Sequence, residues 1–346
     1  MRRVIAILIL ACGLAAPAAG VPAPSFDTAD TILRWIYAYC AKPDPARVPD
    51  AVKTLSRADA FRETENSAVY VGFLAGVIAA NPSKADDLIG KMLPIKTEDQ
   101  WVLVRAIAYS GMPGWKDLLS RFAARIPTRA LMIEKYAGGK LPVLDDIAYD
   151  KSPTTIDKLK NYSASVGDFF TGHKPAPAVR LEATSEVLDT LWGYYFATGD
   201  YGPVARIVRM LPWSKDKSSA DKLTVGSMAK YTLASNAAHD HRLLALLKRE
   251  ATHAPEEAKP ILAEVTEAAE TMEIARIRKE ALAAIDDLKR KGPGDKRDLS
   301  TWGQVGQGAL ALGCVAAAAT GQVEIGVPCV VGGALSSAAL NFWTKD

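Results

Sequence analysis

The segment SAVYVGFLAGVIAANPSKADDLIGKMLP, residues 67–94, decides the fold class of this chain. Its first half is apolar throughout, its second half carries apolar residues at helical spacing, and neither half alternates as a strand does. Asn81-Pro82 separates the two halves, because the residue before a proline avoids the helical conformation. The segment therefore predicts two helices joined by a tight turn.

Three more segments have the same helix–turn–helix pattern, namely residues 98–127, 186–212 and 221–250. The second unit ends at Pro127, 33 residues after the first unit ends at Pro94. Helical hairpins that recur at a fixed spacing are typical of stacked repeat arrays. We therefore predict an all-α fold: a helical-hairpin repeat array, α-solenoid-like, followed by a long helix and a small-residue helical hairpin at the C-terminus. An irregular all-α bundle is the alternative.

The third unit has the most informative pattern of large and small residues. Trp192-Gly193, Phe196 and Ala205 fall where tetratricopeptide-like repeats place a large, a small, an aromatic and a small residue. At superfamily level the chain resembles this family, although the first two units lack the small residue of the second helix. The resemblance implies a stacked array that binds another protein or a peptide.

Aromatic residues are concentrated in and just after the third unit. Two interpretations stand side by side: these side chains form the core of the unit, or some of them line a binding groove, as aromatic residues do at many interfaces. The candidate binding residues are Trp192, Tyr195, Tyr201 and Trp213.

The first 20 residues have the features of a secretory signal peptide. Arg2-Arg3 precede an apolar run, and Ala18-Ala19-Gly20 fits the rule of small residues at the cleavage site. We therefore expect an exported protein, periplasmic in a bacterium or secreted. Lipid attachment at Cys12 is an alternative interpretation of the same segment.

The rest of the chain divides into three predicted regions. Residues 21–255 form the helical-repeat domain, with an irregular, proline-punctuated insertion near residues 136–180. Residues 256–300 form a long helix and a basic linker. Residues 301–346 form an apolar hairpin rich in alanine and glycine.

The C-terminal hairpin has two alternative interpretations. If the chain turns near Gly321, Cys314 and Cys329 lie opposite each other and could form a disulfide, which an oxidising compartment favours. The hairpin would then dock on the array or on a second copy. Alternatively it inserts into a membrane rich in anionic lipid, with Trp302 and Trp343 at the lipid–water interface.

Composition and motifs exclude some functions and give little support to others. The residues are 49% apolar and 23% charged, and the net charge of +3 gives no electrostatic signature of nucleic-acid binding. Ser227 and Lys230 have the spacing of a serine–lysine nucleophile, but the same spacing occurs twice nearby. Asp145 and Asp146 could act as general acid and base. No metal site is predicted; the weak candidate ligands are His239, His241 and His253.

We therefore expect an exported, non-catalytic protein of the cell envelope that binds another envelope protein or peptide and needs no cofactor. One alternative is a membrane-active protein whose C-terminal hairpin enters lipid. A second alternative is an envelope hydrolase of unknown substrate that uses the region of Asp145.

Overall fold

A computed structural model of the chain describes residues 26–62, 67–149 and 179–271, together with Lys279, Glu280 and Ala283. The predicted signal peptide, most of the insertion near residues 136–180, most of the long helix after Thr271, and the C-terminal hairpin lie outside this part. The described part is mostly helical, which confirms the predicted all-α class.

The described part contains twelve α-helices. In chain order they are α1 Ala29–Ala38, α2 Val48–Arg57, α3 Ala68–Ala80, α4 Ala85–Met92, α5 Trp101–Tyr109, α6 Trp115–Phe122, α7 Ala130–Ala137, α8 Ser185–Thr198, α9 Tyr201–Val208, α10 Ala220–His239, α11 His241–Glu250 and α12 Lys259–Thr271. Each of the four predicted units therefore forms two helices: α3 with α4, α5 with α6, α8 with α9, and α10 with α11.

Short polar residues set where several of these helices begin. Thr28, Thr184, Ser219 and Asp240 precede α1, α8, α10 and α11, and the side-chain oxygen of each accepts a hydrogen bond from a backbone N–H of the first turn. Those N–H groups have no partner within the helix, so a capping oxygen stabilises the helix start. Gly199 directly follows α8, and its φ of +71° is the left-handed conformation that glycine tolerates best.

Helix α3 lies at the centre of the molecule. All its residues from Ala68 to Ile78 are buried, in accord with a sequence that is apolar on every face. It packs most extensively against α8, and also against α5. The small residues Gly72 and Gly193 lie at the contact with α8, where they let the two helix backbones approach closely.

The helices that begin the four units do not pack in chain order. In a linear array each unit contacts the next unit of the chain. Here α3 packs against α5 of the second unit and, more extensively, against α8 of the third unit. The 3₁₀ turn Leu211–Lys215 and helix α12 then pack against α10, which extends the same core.

Two short strands are a feature that the sequence pattern does not predict. Ile147–Ala148 (β1) and Leu181–Glu182 (β2) pair in parallel, with Ile147 opposite Leu181. A strand of two residues is too short to show alternation of apolar and polar residues. The pair brings Ile147, inside the predicted insertion, next to Leu181, which directly follows the insertion.

Candidate functional site

The structure places Trp192 and Tyr195 in the core. Trp192 is fully buried, and its Nε1–H donates a hydrogen bond of 3.0 Å to Oγ1 of Thr232 in α10. Tyr195 is 2% exposed, and its hydroxyl donates a hydrogen bond of 2.6 Å to Asp240. Both side chains therefore join α8 to α10 and its C-terminal end, and neither lines a surface groove in this structure.

Tyr201 lies at the start of α9 and is half-buried. Burial raises its pKa to about 12, and the negative charge of Glu250 adds to the shift while Arg249 opposes it. These neighbours belong to the end of α11. Tyr201 and Trp213, predicted as members of one binding surface, thus have different neighbours.

Trp213 is half-buried and belongs to a group of neighbouring side chains that we call the cation–aromatic ladder: Arg209, Tyr149, Trp213 and Lys222. The Arg209 guanidinium lies 4.3 Å from the centre of the Tyr149 ring. The Tyr149 and Trp213 rings are 6.3 Å apart, and the Lys222 ammonium lies 5.7 Å from the Trp213 ring. Each of these distances is within the range of an attractive cation–π or aromatic contact.

The ladder is assembled from four separate parts of the chain. Tyr149 directly follows β1, Arg209 directly follows α9, Trp213 lies in the 3₁₀ turn Leu211–Lys215, and Lys222 lies in the first turn of α10. Gly226 of α10 lets this turn lie close to the helix. A Cβ at this position would be 2.4 Å from the backbone carbonyl carbon of Trp213, which is too close for any other residue.

Arg206 fixes the loop that carries Tyr149. Its guanidinium donates to the backbone oxygen of Leu144 at 3.2 Å and to Oδ1 of Asp145 at 2.7 Å. In return, the Tyr149 hydroxyl donates a hydrogen bond of 3.2 Å to the backbone oxygen of Arg206. The position of the Tyr149 ring is therefore set by hydrogen bonds as well as by stacking.

The two cations of the ladder have no carboxylate partner within the described residues. Arg209 is exposed and Lys222 is half-buried, and neither forms an ion pair or a side-chain hydrogen bond there. The pKa of Tyr149 is raised by burial, although the positive charges of Arg209 and Arg206 oppose the shift. The ladder thus presents two aromatic rings and two positively charged groups with free N–H donors.

Asp145 and Asp146, the candidates for a hydrolase, do not face each other as an acid–base pair would. Asp145 pairs with Arg206, and Asp146 pairs with Arg180 through a hydrogen bond of 2.9 Å. The Asp145 carboxylate also lies against Gly111. Each carboxylate therefore holds an arginine in place.

Ser227 and Lys230 are both buried in α10. The Lys230 ammonium lies 2.6 Å from a carboxylate oxygen of Glu264 and 3.3 Å from one of Glu280. A lysine that acts as a general base must be free to accept a proton. This lysine instead binds two carboxylates and joins α10 to α12.

The three histidines lie at the surface around α11. Nδ1 of His239 is 2.9 Å from the backbone oxygen of Ser235, and His253 lies 3.7 Å from Glu250. Within the described ranges, no group of three or more histidine, cysteine, aspartate or glutamate side chains could hold a metal ion.

Several predicted residues lie outside the described part: Cys12, Trp302, Cys314, Cys329 and Trp343. Cys40, which the structure describes, is a half-buried free thiol. Its pKa is raised mainly by burial and also by the negative charge of Asp240. Among the described helices, none combines the length and the apolar character that crossing a bilayer requires.

Sequence reasoning identified Trp213 but missed Tyr149, Arg209 and Lys222. Arg209 precedes Trp213 by four residues, which is the only local signal, yet it stacks on Tyr149. That contact joins a residue inside the predicted insertion to one well after it, so spacing along the chain could not reveal it. The sequence matches no protein-family model, and neither a characterised protein nor a solved structure is significantly similar to the chain.

Proposed function

We propose that this chain is an exported, non-catalytic binding protein of the cell envelope, and that it binds an acidic segment of a partner protein at the cation–aromatic ladder. The helical hairpins serve as the scaffold for this surface. Binding to another protein or peptide is also what the resemblance to tetratricopeptide-like repeats implies.

The observation that supports the proposal is the pairing of free positive charge with accessible rings. Arg209 and Lys222 lack carboxylate partners among the described residues, and Tyr149 and Trp213 are each half-buried. Arginine and aromatic residues are enriched where proteins bind one another. A segment with glutamate or aspartate next to an apolar or aromatic residue would match both features.

The surroundings of the candidate catalytic residues do not favour an enzyme. Asp145 and Asp146 are paired with arginines, Lys230 is bound by two glutamates, and Ser227 is 3% exposed. The proposal that the C-terminal hairpin enters a membrane concerns residues 301–346, outside the described part.

The proposal can be tested with a photo-crosslinking amino acid in place of Lys217, an exposed residue four positions after Trp213, in the full chain expressed in cells. Arg209 and Lys222 then stay in place. The matched control places the same probe at Leu131, which is 64% exposed on α7. We expect the probe at position 217 to capture a defined partner that poly-glutamate competes away and poly-lysine does not. The same products from both positions, or no effect of Lys222→Glu on capture, would contradict the proposal.

A further inference from the structure

A cavity lies between α2 and the turn that precedes α5, in a part of the chain distant from the ladder. Its volume is about 470 Å³, which is within the range of small-molecule sites. The side chains around it include three cations, Lys53, Arg57 and Lys96.

The floor of this cavity is held by buried hydrogen bonds. Ser56 is 1% exposed, and its hydroxyl donates a hydrogen bond of 2.6 Å to the carboxylate of Asp99, which is 3% exposed. The same hydroxyl oxygen accepts a hydrogen bond of 3.2 Å from the backbone N–H of Lys96. These bonds tie α2 to the turn, so the cavity is formed before any ligand arrives.

The three cations differ in whether another side chain already binds them. The Lys96 ammonium pairs with Asp59 at 2.5 Å. Arg57 donates one hydrogen bond of 2.9 Å to Oγ1 of Thr54, which orients the guanidinium and leaves its other N–H groups free. Lys53 is half-buried and has no ion pair or side-chain hydrogen bond within the described residues. Lys53 and Arg57 are therefore available to an anion.

Two further features narrow the ligand class. Asp50 also lines the cavity, and its negative charge disfavours a ligand that carries more than one negative charge. Pro94 and Ile95 supply an apolar side. A carboxylate suits the guanidinium better than a spherical anion does, because the planar fork can donate two parallel hydrogen bonds.

We propose that this cavity binds a single carboxylate attached to a short apolar group, such as the C-terminal residue of a peptide. Lys53 and Arg57 hold the carboxylate, and Pro94 and Ile95 contact the apolar group. This site is independent of the ladder, so either proposal can fail without the other.

The test is isothermal titration of the full chain with N-acetyl-leucine, with N-acetyl-leucinamide as the neutral ligand of the same shape. We expect the acid to bind and the amide not to bind. Lys53→Gln and Arg57→Gln should each weaken binding about tenfold, the effect of losing one charged hydrogen bond. Asp50→Asn should strengthen binding, and Lys116→Gln, outside the cavity, should leave it unchanged.

Other outcomes would overturn the proposal. Equal binding of acid and amide would show that the carboxylate is not recognised. Tighter binding of inorganic phosphate than of N-acetyl-leucine would overturn the assignment of a single negative charge. Weaker binding by Asp50→Asn would mean that Asp50 attracts the ligand. Thermal unfolding of each variant separates loss of binding from loss of the fold, since both substituted cations lie at the surface.

Discussion

The Cα of Gly72 lies against the backbone oxygen of Thr190: a Cβ added to Gly72 would be 1.9 Å from that oxygen. The contact is reciprocal, because a Cβ on Gly193 would be 2.0 Å from the backbone oxygen of Val69. No real Cβ approaches an oxygen so closely, so α3 and α8 can pack in this way only with glycine at both positions. This helix pair forms the centre of the molecule.

We expect Gly72→Ala and Gly193→Ala each to lower the free energy of unfolding by about 3 kcal/mol or more, since the added methyl group forces two backbones apart. Urea unfolding followed by circular dichroism measures the change. Gly202→Ala is the matched control, because a Cβ at Gly202 in α9 meets nothing within 4 Å. That substitution should be neutral or stabilise by about 0.5–1 kcal/mol. Equal effects of all three substitutions would contradict the proposed role of the close contact.

Asp240 links the core to the start of α11, and its removal should be costly. Its Oδ1 accepts hydrogen bonds from the backbone N–H groups of Arg242 and Leu243, and its Oδ2 accepts one from the Tyr195 hydroxyl. Asp240→Ala should therefore lower stability by about 2–3 kcal/mol, and Tyr195→Phe by about 1.5 kcal/mol. In a double-mutant cycle measured by thermal unfolding, the two effects should be less than additive. Strict additivity would show that the two side chains do not interact.

The Glu264 carboxylate makes the stability of the fold depend on pH in the acidic range. Burial raises its pKa, but the hydrogen bonds and positive charges of Lys230 and Lys215 outweigh this and leave the pKa below its ordinary value of 4.5. A carboxyl with a lowered folded-state pKa stabilises the protein above the unfolded-state value, and this stability is lost as the pH falls through the folded-state value. Between neutral pH and pH 4.5 the contribution should be constant.

The variant Glu264→Gln tests this dependence. We expect it to be less stable than the parent chain at neutral pH, and the difference to shrink as the pH falls below the ordinary value of 4.5. Chemical unfolding at a series of pH values measures the difference. Glu256→Gln is the control, because that side chain is 86% exposed and the gain from a surface ion pair is small. A difference that grew with acid would contradict the assignment.

Tyrosines that are buried or half-buried should make the protein unfold at high pH. Burial is the first cause of a raised pKa at each of them, and for Tyr37, Tyr39 and Tyr194 the value is raised from 10.0 to about 12. A raised folded-state pKa means that stability is intact below pH 10 and falls as the pH rises from there towards 12. The others with raised values are Tyr70, Tyr109, Tyr136, Tyr149, Tyr195 and Tyr201.

A spectrophotometric titration of tyrosinate, recorded together with circular dichroism, checks this prediction. Most of the absorbance change should coincide with loss of helix, because the tyrosines ionise when the fold opens. In denaturant the same tyrosines should titrate near pH 10. Ionisation near pH 10 with the helices intact would contradict the burial of these hydroxyls.

The helical hairpins were predictable from short segments of sequence. Asn81-Pro82 predicts the turn between the two helices of the first unit, and in the structure α3 ends at Ala80 and α4 begins at Ala85. Local signals suffice here, because proline, glycine and capping side chains act on the backbone within one turn of their own position. Whether the hairpins form a repeat array stays a prediction.

The candidate site was predictable only in part. Trp213 attracts notice because it is a tryptophan in an aromatic-rich stretch, but Trp192 and Tyr195 in the same stretch are buried in the core. Residue type cannot separate these outcomes, since burial depends on which helix covers each face. The cavity beside Lys53 and Lys96 likewise joins segments that are distant in the chain, and no motif marks it.

The sequence by itself determined that this chain is helical and where most hairpins turn, because helix propensity, apolar spacing and capping are local properties. Only the tertiary structure decided that α3 packs most extensively against α8, through glycines whose close approach depends on both helices at once. The same long-range packing stacked Arg209 on Tyr149 and placed Trp213 beside Lys222. Such contacts depend on how separate helices fill a shared core, and this information is distributed over the whole chain.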